Sequence, residues 1–170
     1  MGIEIERKFL VLNKEWLTSD LKGIQIKQGY LQNSVKSVVR IRVADTQGFL
    51  TVKASTAIDH EIDNSIDGQK IQTLSRLEFE YKIPFDDALE MLKLCEKPII
   101  EKVRYTLDFM GFEWSIDIFE GENLGLVLAE IELKSEDQEF IKPAWLGKEV
   151  TDDPKYLNSN LIKNPFRAIK

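Results

Sequence analysis

Cysteine and histidine are nearly absent from this chain of 170 residues: Cys95 is its one cysteine and His60 its one histidine. A single cysteine excludes an intramolecular disulfide and fits a reducing compartment. One histidine, set in a polar stretch, argues against a His-based zinc site and against a Ser-His-Asp triad. The chain has no GxxxxGK[ST] phosphate loop and no GxSxG elbow, so neither of those chemistries applies. No run approaches the roughly 20 apolar residues needed to cross a bilayer. Met1-Gly2-Ile3-Glu4 lacks the basic start and apolar run of a signal peptide. Basic excess is missing too. A net charge of −6 argues against a general nucleic-acid or membrane-surface binder, although it leaves room for a local basic site. The expectation is a soluble cytoplasmic protein with neither nucleic acid nor membrane as partner.

What is present is a globular composition, 43% hydrophobic and 31% charged, in a length that suits one domain over residues 1–170. Alternation predicts strands at 3–12, 24–32, 35–44, 48–54, 76–83, 99–109, 112–119 and 126–134. Asp45-Thr46-Gln47-Gly48 and Met110-Gly111 read as hairpin turns, and Gly121-Glu122-Asn123 begins another connection. Asn13 can cap a short helix through Leu21, stopped by Gly23. Pro84 opens an amphipathic helix containing Phe85, Ala88, Leu89, Met91, Leu92 and Leu94. Residues 55–73 read as a long exposed polar loop. The tail reads as helical pieces at 135–141 and 143–149. A third helix is capped by Asp152 or Asp153, has Pro154 in its first turn, and ends at Asn164-Pro165. Cys95, Trp16, Trp114 and Trp145 read as packing residues. The sum is an α+β, mainly β chain, eight antiparallel strands with peripheral helices, and such a set closes naturally into a barrel.

Seven stretches place charges two residues apart, so that they share one face of a strand. The basic members are Lys8, Arg40, Arg42, Lys53, Lys102 and Arg104. The acidic members are Glu4, Glu6, Glu78, Glu80, Asp117, Glu130 and Glu132. Two readings stand at this point: a solvated outer face, or the wall of a charged interior. Isolated charges do not fold into a dry core. An interior wall would therefore have to be wet, internally paired and completed by ions and ligand. Polyphosphate with a divalent cation uses both halves of the set, the carboxylates for metal and the Arg and Lys donors for phosphate.

Glu4-Ile5-Glu6-Arg7-Lys8 resembles the ExExK motif of the CYTH superfamily, the triphosphate tunnel metalloenzymes. The resemblance continues in order through Gln28-Gly29-Tyr30-Leu31, Arg40-Ile41-Arg42, Leu50-Thr51-Val52-Lys53, Glu78-Phe79-Glu80-Tyr81, Lys102-Val103-Arg104, Asp117 and Glu130-Ile131-Glu132. It reaches Trp145-Leu146-Gly147-Lys148-Glu149-Val150-Thr151 in the tail. It implies a closed eight-stranded antiparallel β-barrel, charged within, with helices outside and a C-terminal helical plug. It also implies Mg²⁺ or Mn²⁺ as cofactor. Carried over, Glu4, Glu6 and Glu132 would hold metal, with Asp117 and Glu130 as further metal or water-orienting carboxylates. Lys8, Arg40, Arg42, Lys53, Lys102, Arg104 and Lys148 would hold phosphate. Tyr30 would pair with Lys8, while Glu78 and Glu80 match positions of varied role.

The implied activity is metal-dependent hydrolysis of a triphosphate, with tripolyphosphate, ATP and thiamine triphosphate as candidate substrates. An adenylyl cyclase is the alternative. That branch carries a His-Phe pair shortly before its ExExK, and no such pair precedes Glu4 here, so hydrolysis is placed first. A non-catalytic polyphosphate-binding module is the third reading. Oligomeric state stays open, a homodimer included.

Overall fold

In a computed structural model, described over residues 2–34, 37–55 and 75–166, the chain builds a nine-stranded antiparallel sheet with few helices. Side chains of residues 2–4, 55, 75 and 76 lie outside that description. The strands are β1 (Gly2–Val11), β2 (Ile24–Asn33), β3 (Ser37–Ala44), β4 (Gln47–Ser55), β5 (Ser75–Ile83), β6 (Ile100–Phe109), β7 (Phe112–Phe119), β8 (Val127–Glu132) and β9 (Leu146–Glu149). Among the described residues two short helices accompany them, α1 (Phe85–Leu94) and α2 (Asn158–Leu161), with 3-10 turns at Gly121–Asn123 and Pro154–Tyr156. The strand order is β5-β4-β3-β2-β6-β7-β8-β1-β9, and β1 also pairs with β5, Gly2–Ile5 lying against Ser75–Glu78. Tight turns set the registers. Asp45, at φ 49°, joins β3 to β4, and Met110 and Gly111, at φ 55° and 80°, join β6 to β7. Aspartate and glycine are residues that tolerate this left-handed backbone.

Alternation gives the sheet two faces of different character. On one face Phe9, Trp114, Ile116, Ala129 and Ile131 are buried and are covered by Trp16, Leu133, Trp145 and Leu146. Trp114 meets Trp145 edge-on at 5.5 Å and Phe140 at 5.6 Å, a geometry that aromatic rings favour. Further along this face α1 lays Ala88 and Leu92 on Ile41 and Val43, with Cys95 at its end. Asp86 and Asp87 in the first turn of α1 and Lys93 in the last suit the helix dipole. Gly29 is required here, because a Cβ on it would stand 2.6 Å from the Cβ of Cys95. The other face carries the charged residues. Its apolar end, Leu10, Tyr30, Val38, Ile100, Phe119 and Leu128, is covered by Val150, Tyr156, Leu161, Ile162 and Phe166 of the tail.

Five expectations need correction. Residues 13–21 form turns instead of a helix: the side-chain oxygen of Asn13 accepts from the Glu15 amide, and Leu21 donates to the Thr18 carbonyl. Two separate turns form, Leu17 donating to the Lys14 carbonyl and Leu21 to that of Thr18, and Trp16 docks on Tyr105 at 5.4 Å, packing that decides the path of the segment. Residues 135–141 are irregular, and 143–149 contains β9 in place of a helix. There Phe140 and Trp145 cover the apolar face while Leu146–Glu149 satisfies the edge of β1. The strand count is accordingly nine, not eight. The third tail segment begins as expected, with Asp153 accepting from the Lys155 amide at 3.0 Å, but makes only a 3-10 turn and the short α2. Trp16, Trp114, Trp145 and Cys95 are all buried. The polar loop at 55–73, with His60, falls almost wholly outside the described residues.

Candidate active site

The charged residues meet because each occupies the same parity on its strand and the registers set them side by side. Lys8 lies opposite Glu130 and Glu6 opposite Glu132. Arg104 faces Asp117. Gln28 and Tyr30 face Arg42 and Arg40 across β2–β3. Arg40 faces Thr51, which faces Glu80, and Lys53 faces Glu78.

Two ion-pair networks result. In the first, Asp117 accepts from Lys102 Nζ at 2.5 Å and takes Arg104 bidentately at 2.7 and 2.6 Å. Arg104 reaches on to Glu130 at 2.7 Å, and Glu130 accepts Lys8 Nζ at 2.9 Å, with Glu6 on Lys8's other side at 3.1 Å. In the second, Lys53 pairs with Glu78 at 3.1 Å, and Arg40 reaches Glu78 at 3.4 Å and Glu80 at 3.2 Å. Thr51 completes it, its hydroxyl accepting from Arg40 at 3.0 Å and donating to Glu80 at 2.8 Å. Buried charge survives only when so paired.

The pairing is uneven, and the unevenness is chemical information. Burial disfavours the charged form of Lys8, but Glu130 and Glu6 outweigh it and its pKa rises. Burial likewise opposes ionisation of Glu130, yet Lys8, Arg104 and Lys102 hold it well below the usual carboxylate range. Asp117 moves down for the same reason, with Lys102 and Arg104 against burial. Lys102 and Arg42 go the other way for cations. Burial, with Arg104 and Arg42 nearby, pushes Lys102 down to about 8 despite Asp117. Burial, with Arg40 and Arg104, pushes Arg42 down to about 10. Arg42 has its carboxylate, Glu80, only at 4.0 Å. Among the described residues the buried Nε atoms of Arg40 and Arg42 have no hydrogen-bond partner. The wall formed by β2, β3 and β6 thus holds positive charge and N–H donors in excess of its carboxylates. An anion is what such a surface can accept.

The CYTH domain family matches residues 2–161. This chain belongs to the CYTH family. It is 48% identical to an inorganic triphosphatase of Acetivibrio thermocellus over 171 residues, covering 100% of this chain and 99% of the relative. It is 34% identical to an inorganic triphosphatase of Nitrosomonas europaea over 162 residues, 93% of this chain and 95% of that one. A crystal structure of an inorganic triphosphatase superposes with a TM-score of 0.64 at 31% identity, covering 95% of each chain.

Within this CYTH chain, Lys8, Arg40, Lys53, Lys102, Arg104, Asp117, Glu130, Glu78 and Glu80 all join the two networks, and Arg42 stands beside the second, 4.0 Å from Glu80. Glu6 stands at the more open rim, and Glu132, opposite it, is exposed. The backbone of Glu4 lies in β1 opposite Arg76, with its side chain outside the description. The buried hydroxyl of Tyr30 accepts from Gln28 at 3.1 Å, with Arg40 beside it across β2–β3 and Lys8 among the cations near enough to act on it. Lys148 is exposed on β9. Two buried polar residues were quoted in the sequence motifs but given no role, Gln28 and Thr51, each 0% exposed. A signal existed in the alternation, for Gln28 shares parity with Tyr30 and Thr51 with Lys53, but neither carries a charge.

Proposed function

We propose that the whole chain is one CYTH domain that hydrolyses inorganic triphosphate to pyrophosphate and orthophosphate with a divalent cation. The observation that carries this reading is the buried excess of cationic donors at Arg40, Arg42 and Lys102, on a face whose other wall is acidic. The relationship to triphosphatases at 48% identity over the full chain supports the reaction class. Strands β1–β8 act as a closed barrel about the charged face, with β9 an added strand on β1, a reading supported by β1 having β8 on one edge and β5 on the other. The tail residues packed on Tyr30, Ile100 and Phe119 serve as the plug at one end.

Glu6 and Glu132 fit a metal. Like charges directly opposite on neighbouring strands repel, and a hard cation with oxygen ligands relieves that repulsion. Glu4, on the same parity as Glu6, is the third candidate ligand, and either Mg²⁺ or Mn²⁺ suits this donor set. When bound, the cation neutralises phosphate oxygens and lowers the pKa of water.

The protein's own residues do the rest. Arg40, Arg42, Lys53, Lys102 and Arg104 hold the phosphate chain, and Lys8 meets it from the acidic wall. Asp117 and Glu130 are too strongly acidic to be good proton acceptors near neutrality. Their work is to hold Lys102, Arg104 and Lys8 in place. Water adds its oxygen to the terminal phosphorus in line, the bridging P–O bond breaks, and the bridging oxygen leaves with pyrophosphate. Phosphoryl transfer of this kind needs mainly positioning and charge stabilisation.

The test is phosphate release from tripolyphosphate, ATP and thiamine triphosphate with Mg²⁺ or Mn²⁺, with nucleotide products resolved. Tripolyphosphate should be turned over best. A cyclic nucleotide and pyrophosphate from ATP would move the chain to the cyclase reading, and tight binding without turnover to a binding module.

A further inference from the structure

Lys8 sits at a gap in the partners of β1. Along that edge β5 pairs only through Ile5, and β9 pairs from Phe9 onward. The tail fills the gap. The Lys8 amide donates to Thr151 Oγ1 at 3.0 Å, and the Lys8 carbonyl accepts from the Val150 amide at 2.8 Å. A side-chain hydroxyl thus replaces a neighbouring strand at the residue whose ammonium lies between Glu6 and Glu130.

The hydroxyl is itself oriented. Thr151 has one O–H to donate, and its nearest acceptor is Glu149 Oε1 at 2.9 Å, with the Lys8 carbonyl farther at 3.5 Å. Donating to Glu149 leaves a lone pair for the Lys8 amide. Glu149 in turn accepts Arg7 bidentately, Nε at 2.7 Å and Nη2 at 2.5 Å. The Arg7 guanidinium is held over the rings of Phe140 at 5.0 Å and Phe9 at 5.6 Å. An arginine on the apolar face of β1 is therefore linked, through two tail residues, to the backbone of the lysine that points the opposite way.

We infer that Arg7, Glu149 and Thr151 form a positioning relay that sets where the Lys8 ammonium meets the substrate. The inference rests on the site reading above. Lysine has four flexible side-chain carbons, so its head group is placed by its ion partners and by the anchor of its backbone. Thr151 supplies that anchor from the tail, which makes the tail part of the catalytic geometry as well as a cover.

Thr151→Val and Thr151→Ser are compared with Leu92→Ala, a core change under α1 remote from the charged face, by kcat, KM and melting temperature on tripolyphosphate. Misplacement of a reacting group is costly, so Thr151→Val is expected to lower kcat by about tenfold or more. Thr151→Ser should restore it to within about twofold, the oxygen being what matters. Leu92→Ala should lower the melting temperature with kcat unchanged. A Thr151→Val enzyme that melts lower but keeps wild-type kcat overturns the relay. The Lys8 ammonium resonance of ¹⁵N-lysine-labelled protein reads the same anchor without turnover. It should move in Thr151→Val and return in Thr151→Ser, and an unmoved resonance overturns the relay as well. If wild-type protein fails to hydrolyse tripolyphosphate while the resonance moves as expected, the proposed function falls and the relay stands.

Discussion

Lys102 and Asp117 form an ion pair sealed from solvent, Nζ to Oδ2 at 2.5 Å with side-chain exposures of 1% and 0%. Asp117 also carries both bonds to Arg104, so a single carboxylate serves two buried cations. Asp117→Ala leaves both cations without it. The expected loss is about 3–5 kcal/mol, the usual cost of breaking a buried pair from one side. Urea unfolding measures it, and a loss below about 1 kcal/mol, the range of a surface pair, would contradict the buried role.

The same pair predicts an alkaline limit. Lys102 ordinarily titrates at 10.5 and here at about 8, because burial and neighbouring guanidinium groups oppose its charge. Between those values the unfolded chain keeps a proton that the folded chain has lost, so this group's contribution to stability rises with pH while the site loses a cation. The ratio kcat/KM, which reports the free enzyme, is expected to fall above pH about 8. Lys102→Arg keeps its charge and should shift that fall to higher pH. An unshifted limb in the arginine variant assigns it to another group.

On the acid side the slope has the same sign, because the folded pKa is again the lower one. Glu130 is held well below its ordinary value of 4.5 by Lys8, Arg104 and Lys102, which outweigh burial. Its stabilising contribution is complete above 4.5 and is lost as pH falls below that value toward the folded one. Glu130→Gln should therefore flatten the dependence of melting temperature on pH below 4.5, which calorimetry at stepped pH can read. An unchanged slope would remove Glu130 from the account.

Thr51 links Arg40 to Glu80 through one hydroxyl, at 3.0 and 2.8 Å. Thr51→Val keeps the shape and removes both bonds, at a cost of about 1–3 kcal/mol for the buried groups left unpaired. With Arg40 less well held, KM for tripolyphosphate should rise. A wild-type KM in Thr51→Val would show that Arg40 is placed without it.

Chelation should abolish hydrolysis, and added Mg²⁺ or Mn²⁺ should restore it. Glu6→Gln removes one of two opposed carboxylates and should raise the metal concentration for half activity on the order of tenfold or more. Metal titration of the variant checks this, and a wild-type midpoint would take Glu6 out of the metal site.

Strands, their charged parity and the family motif were legible in the sequence because alternation with period two needs no knowledge of distant residues. Helix α1 was legible from Pro84 and its apolar spacing. The segments at 13–21 and 135–149 were not. Their local pattern allows a helix, but Trp16, Phe140 and Trp145 gain more by covering the apolar face of the sheet, and an open edge of β1 recruits Leu146–Glu149 as a strand. Tyr30 was joined to Lys8 by resemblance, and cross-strand register adds Arg40 beside it.

The sequence by itself determined which residues share a face, and therefore that acids and bases alternate with an apolar set along the same strands. Only the tertiary structure decided who pairs with whom: Asp117 with two cations, Arg42 with the carboxylate of Glu80 only at 4.0 Å, Thr151 with the backbone of Lys8. The reason is physical. Parity is a property of a single strand, but ion pairing and burial depend on which strands become neighbours and in what register, and packing across the whole sheet sets that choice.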